Sequence, residues 1–451
     1  MKRYFLNIVT LVLSVLLCNG VFAQINSGNG KVPFGSKGQY QYGIVPTNAS
    51  SDDARSAYNA WKQEYVTSCG GGSYRVKFDD GSSTVSEGIA YGMLLSVYAD
   101  DKATFDGLWQ YYKNNRNGNG VMNWKINGCS GASGQNGATD AELDAAMALI
   151  IAAIQWPGGS YTNDAIKLIQ TIKTYEMAAD GQALNGDAWG SANSCRNPSY
   201  FAPAYYVEFA KVDAANASFW STTAINASNK LLKANMNSTS GLISNWCDAS
   251  SGTENACGPT GSGGYGYGAD ACRNPWRMAV DYLWHGNNCS EGASAINAKL
   301  VNFVKGHESS VCKGPFDNRS ISNPESGRYA NGSYSTMALP MMTSSNQSSL
   351  NNCYSAVKAL GDYDVYFNTT LRCITMFVLT GNFWSPDAAG AKYPPKVLSA
   401  KTDEDGNIIL TTSKELTGSA NASTFTVFYD GASQSVVSGV TLSGEKVIVN
   451  V

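Results

Sequence analysis

Along most of the chain up to residue 380, apolar side chains recur at three- and four-residue steps, the spacing that lines one face of an α-helix. The run SDDARSAYNAWKQEYV opens with Ser51, Asp52 and Asp53 and carries Ala54, Tyr58, Trp61 and Tyr65 on one stripe, which predicts a helix with an acidic first turn. Comparable patterns predict helices at about 86–115, 139–156, 162–179, 202–214, 218–236, 270–286, 291–306, 350–361 and 369–380. Between them run segments rich in Gly, Ser, Asn and Cys, such as 125–138, 181–201 and 247–269. Loops of more than about 12 residues are uncommon unless they carry function or are disordered, so the chemistry is expected there. Residues 24–50 show no periodicity and read as an irregular entry segment.

Beyond residue 390 the period changes. Alternating stretches appear in NIILTTS, STFTVFYDG and GEKVIVNV, after a linker at 391–395 that contains Pro394 and Pro395. Residues 396–451 therefore predict a small all-β, sandwich-like module, short for an immunoglobulin-like sandwich and incomplete as it stands. The expected organisation is a helical domain at 24–390 followed by this module.

The first 23 residues stand apart: two basic residues, an apolar run, then Val21-Phe22-Ala23 before Gln24. They read as a secretory signal peptide cleaved near Ala23, the alternative being an uncleaved anchor, for which the run is short. A secreted, cell-surface or periplasmic location is expected. Of 11 cysteines, Cys18 lies in that segment; the other ten spread from Cys69 to Cys373 without CxxC spacing, which favours disulfides over metal. With two histidines and no HExxH pattern, no zinc site and no other cofactor is expected. A net charge of −3, from 32 Lys+Arg against 35 Asp+Glu, argues against nucleic acid and for an uncharged partner. Charged residues are only 15%, while 25 Tyr and 10 Trp offer many rings for such a partner; the chain is expected to be a monomer.

Three acids sit where Gly-rich loops enter apolar helices. Glu87 heads the segment STVSEGIAYGMLL; Asp140 lies in GATDAELDAAMALIIAAIQW, with Thr139 as expected N-cap and Glu142 completing a capping box; Asp270 lies in GYGADACRNPWRMAVDYLWHG, followed by Arg273 and Arg277. Any one of them could simply stabilise a helix start, a role worth about 0.3 to 1 kcal/mol. Together, with aromatic loops between them, they predict the rim of an active site.

The stretches SEGIAYGM, NGVMNWKI, GATDAELDAAMAL, NPSYFAPAYY and GADACRNPWRMAVDYLW, in this order and spacing, resemble the bacterial cellulase family glycoside hydrolase family 8 across roughly residues 30–390. The resemblance implies an all-α (α/α)6 barrel, six inner helices ringed by six outer ones, with a cleft across the end where the inner helices begin. It also implies hydrolysis, with inversion, of β-1,4-linked glucan, xylan, mixed-linkage glucan or chitosan. By the same resemblance Glu87 is the proton donor, Asp270 the base, Asp140 the acid that holds the sugar at the cleavage point, Tyr200 the tyrosine that positions the attacking water, and Trp124 a sugar-stacking ring. Ala269 departs from the pattern, since many relatives have a tyrosine before the aspartate.

Acetal hydrolysis of this kind needs one neutral and one ionised carboxyl group on opposite faces of the sugar. Glu87 has no cation nearby in sequence and suits desolvation, which raises a carboxyl pKa; Asp270 has Arg273 three residues on, which would favour its charge unless Arg273 pairs elsewhere. Trp124, Trp189, Tyr200, Tyr205 and Tyr267 are candidate sugar platforms on loops, and Arg273 a further substrate contact; Trp109, Trp156, Trp276 and Trp284 lie in helical patterns and are expected in the core. The reading is a secreted endo-β-1,4-glucanase. The alternatives are a xylanase of the same family, a non-catalytic glycan-binding protein, and a structural partner in a cellulose-handling assembly.

Overall fold

The computed structural model describes residues 30–188, 195–255, 257, 266–312, 321, 335–360, 365–389 and 397–412, with 422, 427–429, 433–435, 437–443 and 446–450 near the C-terminal end. Its helices are α1 (Ser51–Tyr65), α2 (Ser86–Tyr98), α3 (Lys102–Asn114), α4 (Thr139–Gln155), α5 (Tyr161–Tyr175), α6 (Pro203–Val212), α7 (Ile225–Asn235), α8 (Asn274–His285), α9 (Glu291–Val304), α10 (Glu308–Val311), α11 (Gln347–Ala359) and α12 (Tyr366–Leu379). A 3₁₀ segment, Ser335–Thr343, joins them.

Packing turns this list into a closed ring. Helices α2, α4, α6 and α8, the Ser335–Thr343 segment and α12 each touch the next, and α12 returns to α2. Every member carries an outer partner: α3 on α2, α5 on α4, α7 on α6, α9 on α8, α11 on the 3₁₀ segment, and α1 on α12. This is an (α/α)6 barrel, as expected. An inner helix has neighbours on every side, so it must be apolar all round. Helix α2 accordingly buries every residue from Ser86 to Tyr98 except Glu87. Outer helices need one apolar stripe; α1 buries only Ala54, Ala57, Tyr58, Trp61 and Tyr65. Trp109, Trp156, Trp276 and Trp284 are all buried, as their helical spacing predicts.

The pattern at 86–115 does not form one helix. Asp100 takes a left-handed φ of 58°, and Asp101 then caps α3 by accepting from the Thr104 amide at 3.2 Å. The helix predicted at 162–179 stops at Tyr175. The fifth inner element, STMALPMMT, was not expected, because Pro340 interrupts it and nine residues hold too few turns for a period to show.

Short strands decorate the end of the barrel where the inner helices start. Strands β1 (Val66–Gly70) and β2 (Ser73–Val76) form a hairpin; β3 (Ser83–Val85), β4 (Lys125–Asn127) and β5 (Ala132–Gly134) form a sheet; β6 (Cys195–Arg196) pairs with β7 (Cys247–Asp248). Disulfides Cys69–Cys129, Cys195–Cys257 and Cys312–Cys353 tie these loops and helices, while Cys247 and Cys289 keep free thiols. The C-terminal residues are all β: β8 (Val397–Thr402), β9 (Ile408–Thr412), β10 (Val427–Tyr429), β11 (Ser433–Ser435), β12 (Gly439–Ser443) and β13 (Lys446–Asn450). They form an antiparallel sheet of order β12-β13-β9-β8 and a separate β10-β11 pair. Among the described residues no helix is long and apolar enough to cross a membrane.

At the C-terminal end of α8, His285 Nδ1 lies 2.8 Å from Asp281 Oδ1 and Nε2 lies 3.5 Å from Glu208 Oε1. Burial opposes the charged ring, yet hydrogen bonds and charge from Asp281 and Glu208 outweigh it and push His285 up from 6.5 to about 9. A raised histidine stabilises the fold fully below its unfolded value and loses that contribution as pH rises through the folded one. Unfolding free energy should therefore fall by on the order of 3 kcal/mol between pH 6.5 and pH 9 from this group. Urea titrations across that range check it: His285→Gln should flatten the dependence, and an unchanged slope would rule the linkage out.

Candidate active site

Each acid singled out above sits in the first turn of an inner element. Glu87 follows β3 as the second residue of α2, Asp140 is the second residue of α4, and Asp270 caps the 3₁₀ turn Ala271–Arg273 that runs into α8. Helix starts favour negative charge. Barrel closure then brings the three starts together.

One guanidinium joins them. Arg273 Nη1 donates to Glu87 Oε2 at 3.0 Å and to Asp140 Oδ2, and Nη2 donates to Asp270 Oδ1 at 3.2 Å. Arg273 and Asp140 are each 3% exposed, Glu87 19% and Asp270 22%, so the cation is at the floor and the outer acids face the opening. Arg273, expected to favour the charge of Asp270 unless it paired elsewhere, bonds to Asp270 and to the other two acids as well, as a buried hub. The Tyr200 ring lies under the guanidinium, 5.3 Å from its carbon, at the end of a 3₁₀ turn that Asn197 caps.

Glu87 is pushed up to about 7. Burial is the largest cause; Arg273 pulls it down, Asp140 pushes it up, and a hydrogen bond from Tyr366 lowers it slightly. Tyr366, the first residue of α12, donates its hydroxyl to Glu87 Oε1 at 3.0 Å. Gly88 makes room for that ring, since a Cβ there would come within 3.0 Å of the Tyr366 hydroxyl. Asp140 is raised too, by burial first, against the Arg273 charge. Its Oδ1 accepts no hydrogen bond among the described residues. Asp270 is ringed by donors: Asn197 Nδ2 on Oδ1 at 2.9 Å, Trp246 Nε1 on Oδ2 at 2.9 Å, and Arg273.

Below this layer, Arg277 grips Asp144 with two hydrogen bonds of 2.5 and 2.6 Å and lies over the Trp276 ring. The capping box at α4 is not as expected. The cap is Ala138, the Thr139 hydroxyl has no partner among the described residues, and Glu142 reaches back to the Ala138 amide at 3.2 Å. Glu142 also accepts from the Tyr112 hydroxyl at 3.0 Å and the Met122 amide at 3.3 Å, and burial pushes it up to about 8.

The aromatic platforms divide. Trp124 is 37% exposed, its carbonyl accepts from the Ser86 amide at 2.9 Å, and its ring covers Gly134, where any side chain would collide with it. Tyr205 is a correction: it lies in α6 rather than on a loop, 1% exposed, against the Arg277 guanidinium. Tyr267 is likewise 1% exposed and offers no face to solvent. Trp189 lies outside the described residues. Tyr366, Asn197 and Trp246 were not singled out in the sequence. Asn197 stands in NPSYF beside Tyr200, but nothing in the spacing of Tyr366 or Trp246 ties either to an acid.

Among the described residues no group of three or more His, Cys, Asp or Glu side chains could hold a metal ion. The three acids that converge do so on a guanidinium, which fills the place a cation would take.

Residues 32–381 match the family model for glycosyl hydrolases family 8. The chain belongs to glycoside hydrolase family 8. The match takes in every barrel residue discussed above. Endoglucanase A of Acetivibrio thermocellus is 32% identical over 89% of this chain and 87% of its own length, and Endoglucanase 2 of Ruminiclostridium josui is 33% identical over 86% and 84%. Among solved structures, the β-1,3-1,4-glucanase of Paenibacillus sp. X4 superposes with a TM-score of 0.67 at 24% identity, covering 78% of this chain and 98% of that one, which places the family 8 barrel here at the level of the fold. As a member of glycoside hydrolase family 8 the protein is a glycosidase.

Proposed function

We propose that this protein is an exported endo-β-1,4-glucanase that cleaves internal bonds of cellulose or a related β-glucan by single displacement, with Glu87 as general acid and Asp270 as general base. The observation that carries the proposal is the unlike setting of two carboxyl groups on one guanidinium. Glu87 is largely desolvated though it faces the opening, and that desolvation pushes it up to about 7, so at and below neutral pH it holds a proton to give. Asp270 accepts from donors on both oxygens, which suits an ionised carboxylate that takes a proton from water. Asp140 lies at the floor between the two, with an oxygen that no described residue satisfies, and the exposed Trp124 ring suits the C–H face of a pyranose. Both named relatives are endoglucanases, which favours glucan as the backbone. All these residues precede residue 390, and the strands beyond 396 are proposed to be dispensable for the chemistry; the expected linker at 391–395 lies outside the described residues.

Stereochemistry tests the pairing. A base that activates water needs the two carboxyl groups roughly 6.5 to 9.5 Å apart, whereas a nucleophile needs about 5 to 5.5 Å. Water then attacks opposite the departing oxygen, and a β-linked substrate releases an α reducing end that mutarotates afterwards. Proton NMR in the first minutes of cellopentaose cleavage should show the α anomer first. Appearance of β product first would make Asp270 a nucleophile or no partner of Glu87.

A further inference from the structure

We infer that Trp246 and Asn197 are positioning residues for Asp270, and that they leave Oδ2 as the atom that takes the proton from the attacking water. The inference rests on Asp270 being the base and adds which of its atoms reacts and what aims it.

A carboxylate oxygen can accept about two hydrogen bonds. On Asp270 Oδ1 both places are taken, by Asn197 Nδ2 at 2.9 Å and Arg273 Nη2 at 3.2 Å. On Oδ2 one place is taken, by Trp246 Nε1 at 2.9 Å, and the other has no partner among the described residues. The indole N–H only donates, so it cannot compete with the carboxylate for the proton of water. With a donor fixed on each oxygen, rotation of the carboxylate plane would break both bonds, and the open lone pair of Oδ2 keeps one direction.

The donors are themselves held. Asn197 is 1% exposed, and its Oδ1 accepts from the Ser199 amide at 3.0 Å and the Ser199 hydroxyl at 2.7 Å, so the amide nitrogen must face Asp270. Trp246 is 2% exposed. Next to it, Asn245 Oδ1 accepts from the Asp270 amide at 3.1 Å and the Ala271 amide at 2.9 Å, so residues 245 and 246 hold the backbone and the carboxylate of one residue. The chain then enters β7, whose Cys247 and Asp248 pair with Arg196 and Cys195 of β6, immediately before Asn197. The Cys195–Cys257 disulfide fastens β6 to the segment that follows β7. Two donors from segments about 50 residues apart are thus presented side by side, one to each oxygen.

In the reaction, the water oxygen bonds to the anomeric carbon as its proton passes to Asp270 Oδ2. The glycosidic C–O bond breaks, and the departing oxygen takes the proton of Glu87. Loss of the indole N–H leaves every group of that step in place but frees the acceptor to turn.

The test is Trp246→Phe, together with protein carrying β-(3-benzothienyl)alanine at position 246, which keeps the shape of indole and lacks the N–H. Both should turn over soluble β-glucan about 10- to 100-fold more slowly, the scale of one hydrogen bond to a charged group. KM should stay within about twofold, and calorimetric affinity for cellopentaose, measured in a Glu87→Gln background, should be unchanged. A purely structural role would instead move affinity and unfolding temperature together. Wild-type kcat in the benzothienyl protein, or a loss carried by affinity rather than kcat, overturns the inference. Asp270→Asn is measured alongside: wild-type turnover there overturns the base assignment itself, whereas an inactive Asp270→Asn with a fully active benzothienyl protein overturns only the role of Trp246.

Discussion

Glu87→Gln should leave a folded protein that turns over β-glucan about 10²- to 10⁴-fold more slowly, the range that general acid catalysis supplies. Glutamine keeps the size of the side chain, its carbonyl can still accept from Arg273, and its amide nitrogen can donate to the Tyr366 hydroxyl instead of accepting from it, so the loss reads the proton more than the packing. The pH profile carries the same information. Because burial pushes Glu87 up to about 7, and the acid works only while protonated, kcat/KM of the wild type should fall as pH rises through about 7. That alkaline limb should be absent from the residual activity of Glu87→Gln. A limb near the ordinary glutamate value of 4.5, or a variant as fast as wild type, would remove Glu87 from the role.

Arg273→Met should be the most destabilising single change in the site. The guanidinium is buried and bonded to Glu87, Asp140 and Asp270 at once. Removing one partner of a buried ion pair typically costs about 3 to 5 kcal/mol, because the charge left behind has neither water nor a counterion. Here the residues left behind are acids, and protonation relieves them. The deficit measured by urea unfolding should therefore be larger at pH 7 than at pH 5. Since Arg273 is the main influence holding Glu87 down, whatever activity survives should also keep its alkaline limb at higher pH than wild type. A loss below about 1 kcal/mol at pH 7 would mean that the hub contributes little to the fold.

What the sequence disclosed and what it hid follow from how each feature is encoded. Outer helices were visible because burial on one face writes a period into the chain, as in α1, and inner ones because burial on all faces writes a long apolar run, as in α4. The Ser335–Thr343 segment was invisible because its burial comes from the ring around it. The boundary between α2 and α3 was missed because Asp100 and Asp101 look like ordinary polar residues until one adopts a left-handed backbone and the other a cap. Glu87, Asp140 and Asp270 were legible as acids at helix starts. Their shared arginine was not, since Arg273 is 186 residues from Glu87 and 133 from Asp140. Tyr205 was misplaced among the loop platforms even though the predicted helix at 202–214 already contained it, because an aromatic ring is equally at home in a cleft and in a core.

The ring also has a direction in time. Helix α1, the first of the barrel helices to leave the ribosome, packs on α12, the last, and the indole of Trp61 donates to the Thr370 hydroxyl across a separation of 309 residues. Until α12 is made, Trp61 lacks its hydroxyl partner, Tyr58 and Tyr65 lack the Phe377 and Tyr366 rings they pack on, and Glu87 lacks the tyrosine that α12 delivers. Closure of the barrel and completion of the acid's hydrogen bonds are thus one event, so a chain still being synthesised has neither a finished core nor a finished site. A nascent chain of this kind is open to chaperones and proteases until its final helix arrives, and it cannot begin cutting glucan before then.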